Sequence, residues 1–304
     1  MNNIKNTKST FQLRGIISGL EGNKKNFGYE CGVLDKGNSA GKEYNKIRFY
    51  IQTSKNNKIP VELFGIVKEK VCFYSKQKKD SKMIPWNNRL TAKIEGYEYI
   101  IAEFDLIEKI KKDFKDGNSV FVNGEFQFSE YEDNQGNKKN QTRYLIKTIY
   151  STKEDLTNDD FEKKDFEEKN TFQQEIIINS VDEVVADKKT YVNAYVHDFK
   201  GIHNTTFVIE SNKDTQKLKN SFKTLRLGDF IKIHGVINYQ VEKYMKKGGD
   251  WGDEPIINVN KSLEIKGADP ATLERKMYTE TDLIVKKENV PDNLEEEKKL
   301  GFKL

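Results

Sequence analysis

Gly117-Asn-Ser-Val-Phe-Val-Asn-Gly124-Glu-Phe-Gln-Phe128 returns later in the chain as Gly228-Asp-Phe-Ile-Lys-Ile-His-Gly235-Val-Ile-Asn-Tyr239, with the same spacing throughout. In each copy apolar residues alternate with polar ones, the period-two pattern of a strand with one buried face. Val120, Val122, Phe126 and Phe128 point one way, as do Ile231, Ile233, Ile237 and Tyr239. A glycine in mid-strand gives up side-chain packing and backbone entropy, so its recurrence at Gly124 and Gly235 predicts a bend or a close approach.

Each copy follows a short amphipathic segment. In the first, Asp105 and Glu108 have capping-box spacing, Leu106, Ile107, Ile110 and Phe114 form one apolar stripe, and Gly117 supplies the stop. In the second, Asp214 is placed to cap a stripe of Leu218, Phe222 and Leu225 before Gly228. Helix, glycine and bent strand make the second half of an oligonucleotide/oligosaccharide-binding (OB) barrel, a five-stranded Greek key with its helix between strands three and four. The expected fold is mainly β: two tandem OB-fold barrels, each with that helix, plus a basic insertion in the first and a charged C-terminal tail.

The run from Phe114 to Tyr150 resembles the last two strands of bacterial and phage single-stranded DNA-binding proteins. The shared elements are Gly117-Asn-Ser-Val-Phe-Val-Asn-Gly124, the charged hairpin Tyr131-Glu-Asp-Asn-Gln-Gly-Asn-Lys-Lys and the closing Tyr144-Leu-Ile-Lys-Thr-Ile. The resemblance covers about an eighth of the chain, and it implies an OB barrel that binds unpaired DNA. That family usually has one barrel per chain and a tail ending in acids and Phe. Here there are two expected barrels, and the end Lys286–Leu304 balances five acids with five lysines before Leu300-Gly-Phe-Lys-Leu. Both departures leave the oligomeric state open.

The 304 residues are 36% hydrophobic and 33% charged, enough for two domains. The expected division is 1–9 as a flexible lead, 10–152 as the first barrel with its insertion at 66–101, 153–171 as an acidic solvated connector, 172–269 as the second barrel and 270–304 as a helix and tail. No apolar run approaches the ~20 residues of a membrane span, and Met1-Asn-Asn-Ile-Lys has no apolar signal core. Two distant cysteines, Cys31 and Cys72, suit a reducing compartment. A cytoplasmic location follows, a host's cytoplasm if the Lys/Asn-rich composition reflects a phage or other mobile element.

The net charge of +4 conceals a segregation. Residues 1–93 hold 19 Lys/Arg against 7 Asp/Glu, so the rest of the chain is net acidic. Clustered cations meet phosphates and release counterions. Candidate phosphate contacts in the first barrel are Lys24, Lys25, Lys46 and Arg48, with Tyr50 beside them. The insertion follows with Lys76, Lys78, Lys79 and Lys82, among which Tyr74 and Trp86 are interleaved as candidate stacking faces. Packing of Trp86 onto the barrel is the competing expectation.

In the second barrel Tyr191-Val-Asn-Ala-Tyr-Val-His-Asp-Phe alternates cleanly. Val192, Ala194 and Val196 turn inward, and Tyr191, Tyr195 and Phe199 form an expected outward row. The reverse, with the rings as core, stays open. The last hairpin of each barrel joins lysines to aromatics: Tyr131 with Lys138, Lys139 and Arg143 in the first, and Tyr244 with Lys246, Lys247 and Trp251 in the second.

Chemistry-bearing motifs are not evident. His197, His203 and His234 lack ligands at metal spacing. Gly37-Asn-Ser-Ala-Gly41-Lys42-Glu43 is one residue short of a phosphate loop and has Glu where a hydroxyl belongs. A non-enzymatic protein without cofactor or metal is expected, with single-stranded DNA as partner, RNA left open, and replication or recombination proteins as further partners. The alternatives are a β-rich interaction protein using the aromatic row and a nucleic-acid enzyme whose acids converge only in space.

Overall fold

A computed structural model describes residues 4–22, 27–132, 136–246 and 254–283. Its strands are β1 (Ser9–Ser18), β2 (Gly28–Val33), β3 (Glu43–Gln52), β4 (Lys58–Ile66), β5 (Lys70–Ser75), β6 (Asp80–Pro85), β7 (Glu98–Tyr99), β8 (Ser119–Glu132), β9 (Lys138–Ser151), β10 (Lys169–Val184), β11 (Lys189–Asp198), β12 (Gly201–Glu210), β13 (Phe230–Lys246) and β14 (Glu254–Glu274). Helix α1 (Glu103–Asp113) precedes β8, α2 (Gln216–Lys223) precedes β13, and α3 (Glu280–Leu283) follows β14. The chain divides into two compact units, one of 1–16, 50–61 and 119–290, the other of 17–49, 62–118 and 291–304. That division runs through β1, β3 and β4.

The first unit holds a complete OB circuit: β10 pairs β11, β11 pairs β12, β12 meets β14 in parallel at Val208 and Glu264, and β14 returns through β13 to β10. Helix α2 lies between the third and fourth of these strands, the Greek-key arrangement expected. The circuit β1-β8-β9-β4-β3-β1 repeats it, with α1 in the same place. The fold is therefore mainly β, with two OB-like barrels in tandem.

The repeated glycines have a repeated cause. Phe11 on β1 is the register partner of Gly124, and Phe172 on β10 is that of Gly235. A Cβ on Gly124 would lie 2.2 Å from Phe11 Cζ and 2.2 Å from the Leu145 oxygen. On Gly235 it would lie 1.9 Å from the Glu264 oxygen and 2.9 Å from Phe172 Cε1. Both β8 and β13 shift register here, at Asn123/Gly124 and at His234/Gly235, as at a barrel bend. Phe11, Phe172 and Phe126 are buried, and Phe126 stands 5.7 Å from each of the other two rings.

Strands β1 and β10 also pair with each other, antiparallel, from Ser9↔Gln174 to Arg14↔Lys169. Phe11 meets Phe172, and Thr10-Phe11-Gln12 meets Thr171-Phe172-Gln173 about a local two-fold. Beside this seam the acidic stretch is packed down. It forms a 3-10 turn at Asn158–Glu162 closed by a Thr157/Asp160 capping box. Lys55 pairs Glu162 at 2.6 Å, Arg14 lies over the Phe166 ring and donates to the Glu167 carbonyl, and Thr53 and Asn57 donate to Glu168.

Four local expectations are corrected. Asp105 and Glu108 do not cap α1: its N-cap is Ala102, without a side-chain bond. Asp105 instead accepts from Arg89 and Tyr99, and Glu108 from Tyr29 and Asn45. Asp214 does not cap α2; Asn212 accepts the Asp214 and Thr215 amides and Thr215 is the N-cap. Leu218 is half-buried, so the buried helix face is Phe222 with the stem of Lys219. Ala271–Glu274 is strand and not helix, because β14 continues beside β13 until the left-handed turn at Lys276.

That turn closes on Asp229, whose side chain is only 1% exposed. Burial pushes its carboxyl up, but the amides of Lys276 and Arg226 and the Arg275 guanidinium, at 2.7 Å, outweigh burial and hold it below the usual range. A depressed folded value means that its contribution is complete above about pH 4 and is lost as pH falls through the folded value. Asp229→Asn is expected to cost about 2 kcal/mol at pH 7. Urea melts should show the gap to the native chain closing below pH 4, and a gap independent of pH would contradict this.

Candidate nucleic-acid interface

In the second unit the cations on β3 are already paired with carboxylates. Lys46 Nζ is 3.3 Å from Glu30, whose carboxyl is lowered by the Tyr44 hydroxyl and by Lys46. Arg48 is 3.8 Å from Glu62 and lies over the Phe27 ring at 4.8 Å. Phosphates here would have to displace or share these partners. Lys24 and Lys25 lie outside the described residues.

The insertion folds as a three-stranded sheet, β6-β5-β7, followed by α1. Val71 and Phe73 of β5 pack with Ala102 and Trp86 as its core. Trp86 is a correction: its ring is 8% exposed, edge-on to Phe104, with the Arg89 guanidinium 3.9 Å from its centroid. Arg89 then makes a two-pronged bond to Asp105 at 2.8 and 3.0 Å. Indole, guanidinium and carboxylate lock the insertion to α1, so Trp86 offers no face to a base. Tyr99 joins the same lock through Asp105, and burial with that bond pushes its hydroxyl up to about 12.

The insertion's cations stay outside this core. Lys78 and Lys82 sit 5.1 and 4.5 Å from the centroid of Tyr97, whose hydroxyl donates to Asp80 at 2.9 Å. Lys79 occupies the hairpin turn at φ 53, Lys76 pairs Glu98 at 3.5 Å, and Tyr74 is exposed on β5. Tyr97 lies beyond the lysine run in sequence and is brought back to it only by the folding of the insertion. Its signal is Gly96-Tyr-Glu-Tyr99, a short alternation after a turn.

In the first unit Tyr50 is half-buried. The β8–β9 hairpin sets Tyr131 opposite Lys139, and Arg143 donates to Gln127 at 3.3 Å. Lys138 pairs with Glu132 in register. Tyr244 and Lys246 are on β13 opposite Ile256 and Glu254, while Lys247 and Trp251 lie outside the described residues. The row expected on β11 is not a continuous aromatic face. Val192, Ala194 and Val196 are inward as expected, but Tyr195 packs against the cluster of Ile177, Phe230 and Tyr278. Tyr191 donates to Asp187, which raises its pKa, and Asn193 between them bonds Ser180, Asp182 and Thr206. Only Phe199, in the turn after β11, is widely exposed at 79%. A polar, acid-flanked strand face is a poor place for a polyanion.

Among the described residues no group of three or more His, Cys, Asp or Glu is placed to hold a metal, and no helix is long and apolar enough to cross a membrane. Two Greek-key barrels, one bearing a cationic insertion, define a tandem OB-like protein. The chain belongs to the YorF family, whose sequence model matches residues 7–300. Among solved structures it is similar to the wild-type single-stranded DNA binding protein from Thermus aquaticus, with a TM-score of 0.44, 10% identity, and 89% of this chain and 94% of that chain covered. A deletion and substitution variant of that protein gives 0.44 and 10%, covering 90% and 97%. No curated protein matches the sequence. At that similarity the fold rests on the chain's own strand pairing.

Proposed function

We propose that the chain binds and coats single-stranded DNA during replication or recombination, without catalysis and largely without regard to sequence. The observation that carries this reading is the insertion. Lys76, Lys78, Lys79 and Lys82 crowd one hairpin beside the rings of Tyr74 and Tyr97, on an OB-like scaffold whose first 93 residues are strongly basic. Lysines supply affinity through phosphates, and rings supply it through stacking that every base permits. Arg143 and Lys139 on the β8–β9 hairpin offer the same chemistry on the first unit by itself. The β11 face enters only through Phe199.

Titration of oligo-dT, oligo-U and duplex DNA at two ionic strengths tests this. Preference for the unpaired strands is expected, with log affinity falling against log salt at a slope of about −3, the release expected from some four phosphates. A flat salt response, or tighter binding to duplex, would remove the proposal. Metal-dependent loss of the oligonucleotide would point to catalysis instead.

A further inference from the structure

A shallow groove of about 610 Å³ opens in the insertion beside Tyr97, lined also by Phe73, Tyr99, Leu90, Ile94 and Lys93. Its composition is uneven in a useful way. Phe73 and Tyr99 are stacked on each other at 5.4 Å and give the floor an aromatic character. Leu90, 72% exposed, is an apolar wall with nothing covering it. Lys93 stands on the rim, and Lys78 and Lys82 hold their charges against the Tyr97 ring. Two carboxylates are present, Glu95 in the lining and Asp80 on the Tyr97 hydroxyl.

A flat apolar ligand flanked by negative charge fits these features, and we infer that this groove takes one unpaired nucleobase stacked on Tyr97. The inference rests on the single-strand reading above. Exposed cation–ring contacts are weaker than base–ring stacking. The two lysines can therefore leave the ring for the phosphates on either side of the bound base, exchanging one cationic partner for a stronger anionic one while the ring gains the base. An acidic peptide is the competing occupant. It is disfavoured because Glu95 in the lining, with Asp80 held on the Tyr97 hydroxyl, would repel its carboxylates, whereas a neutral base carries no charge there.

The test uses the full chain with oligo-dT and with an abasic oligomer of equal length. Tyr97→Leu should weaken oligo-dT binding about tenfold with the salt slope unchanged, Tyr97→Phe should bind like the native chain, and neither should alter binding to the abasic strand. Lys78→Gln with Lys82→Gln, both solvent-facing and clear of the groove floor, should make the slope shallower by about 1. If the native chain ignores oligo-dT, the single-strand reading itself fails. If it binds and Tyr97→Leu binds equally well, or loses dT and abasic strands alike, this inference alone fails. A Glu/Phe peptide that binds the native chain but not Tyr97→Leu, with oligo-dT unaffected, overturns it in favour of a protein ligand.

Discussion

Gly124→Ala is expected to lower the unfolding free energy by about 3 kcal/mol or more, an unusually large effect for the addition of one methyl group. The added carbon would lie 2.2 Å from the Leu145 carbonyl oxygen and 2.2 Å from Phe11, so strand and ring would both have to move. The ring is boxed in by Phe126 and Tyr144, and the carbonyl belongs to the β9 ladder. Gly235→Ala should cost a similar amount, since the Glu264 oxygen would stand 1.9 Å away and Phe172 close behind. Trimming the ring, as in Phe11→Leu, should rescue Gly124→Ala only in part because the carbonyl stays. Urea denaturation of the single and double variants measures this, and a loss below 1 kcal/mol in either glycine variant would refute the close approach.

Asn57→Ala should cost about 3 kcal/mol. Asn57 is 3% exposed, in the turn between β3 and β4, and acts as a three-way clamp. Its oxygen accepts the Tyr239 amide at 2.8 Å, and its amide donates to the Ile237 carbonyl and to Glu168, each at 2.8 Å. Removing it leaves the Ile237 carbonyl served by Asn170 at 3.0 Å. The Tyr239 amide loses its acceptor, and a half-buried donor without one carries much of its desolvation cost. Asn170→Ala, which removes the second donor to a carbonyl that Asn57 still serves, should cost nearer 1 kcal/mol. Equal losses in the two variants would show that the clamp is not centred on Asn57.

The fold was legible wherever one face of an element meets the core. Strands β8, β11 and β13 alternate in sequence as they do in burial, because a two-residue period permits no other way to hide Val120, Val192 or Ile231. Helix ends were not legible. Asp105 and Glu108 have the spacing of a cap, yet nearer partners in space, Arg89 with Tyr99 and Tyr29 with Asn45, take their carboxylates. Spacing along the chain carries no record of such rivals. Trp86 shows the same limit, since a ring amid lysines reads as a platform until Arg89 and Phe104 are seen to enclose it. Thr10-Phe-Gln and Thr171-Phe-Gln were present as a second repeat. Three residues carry too little pattern to mark a repeat, and their meaning lies in their place opposite the two glycines.

The ladder from Ser9↔Gln174 to Arg14↔Lys169 makes the repeat more than two copies in series. Over this stretch each barrel covers the edge of the other's opening strand that faces away from its own fourth strand, so neither edge is left open to a further chain. With both strands on one chain, their ratio is fixed at one to one whatever the concentration. The two barrels are not interchangeable: one bears the lysine-rich hairpin, the other an acid-flanked strand.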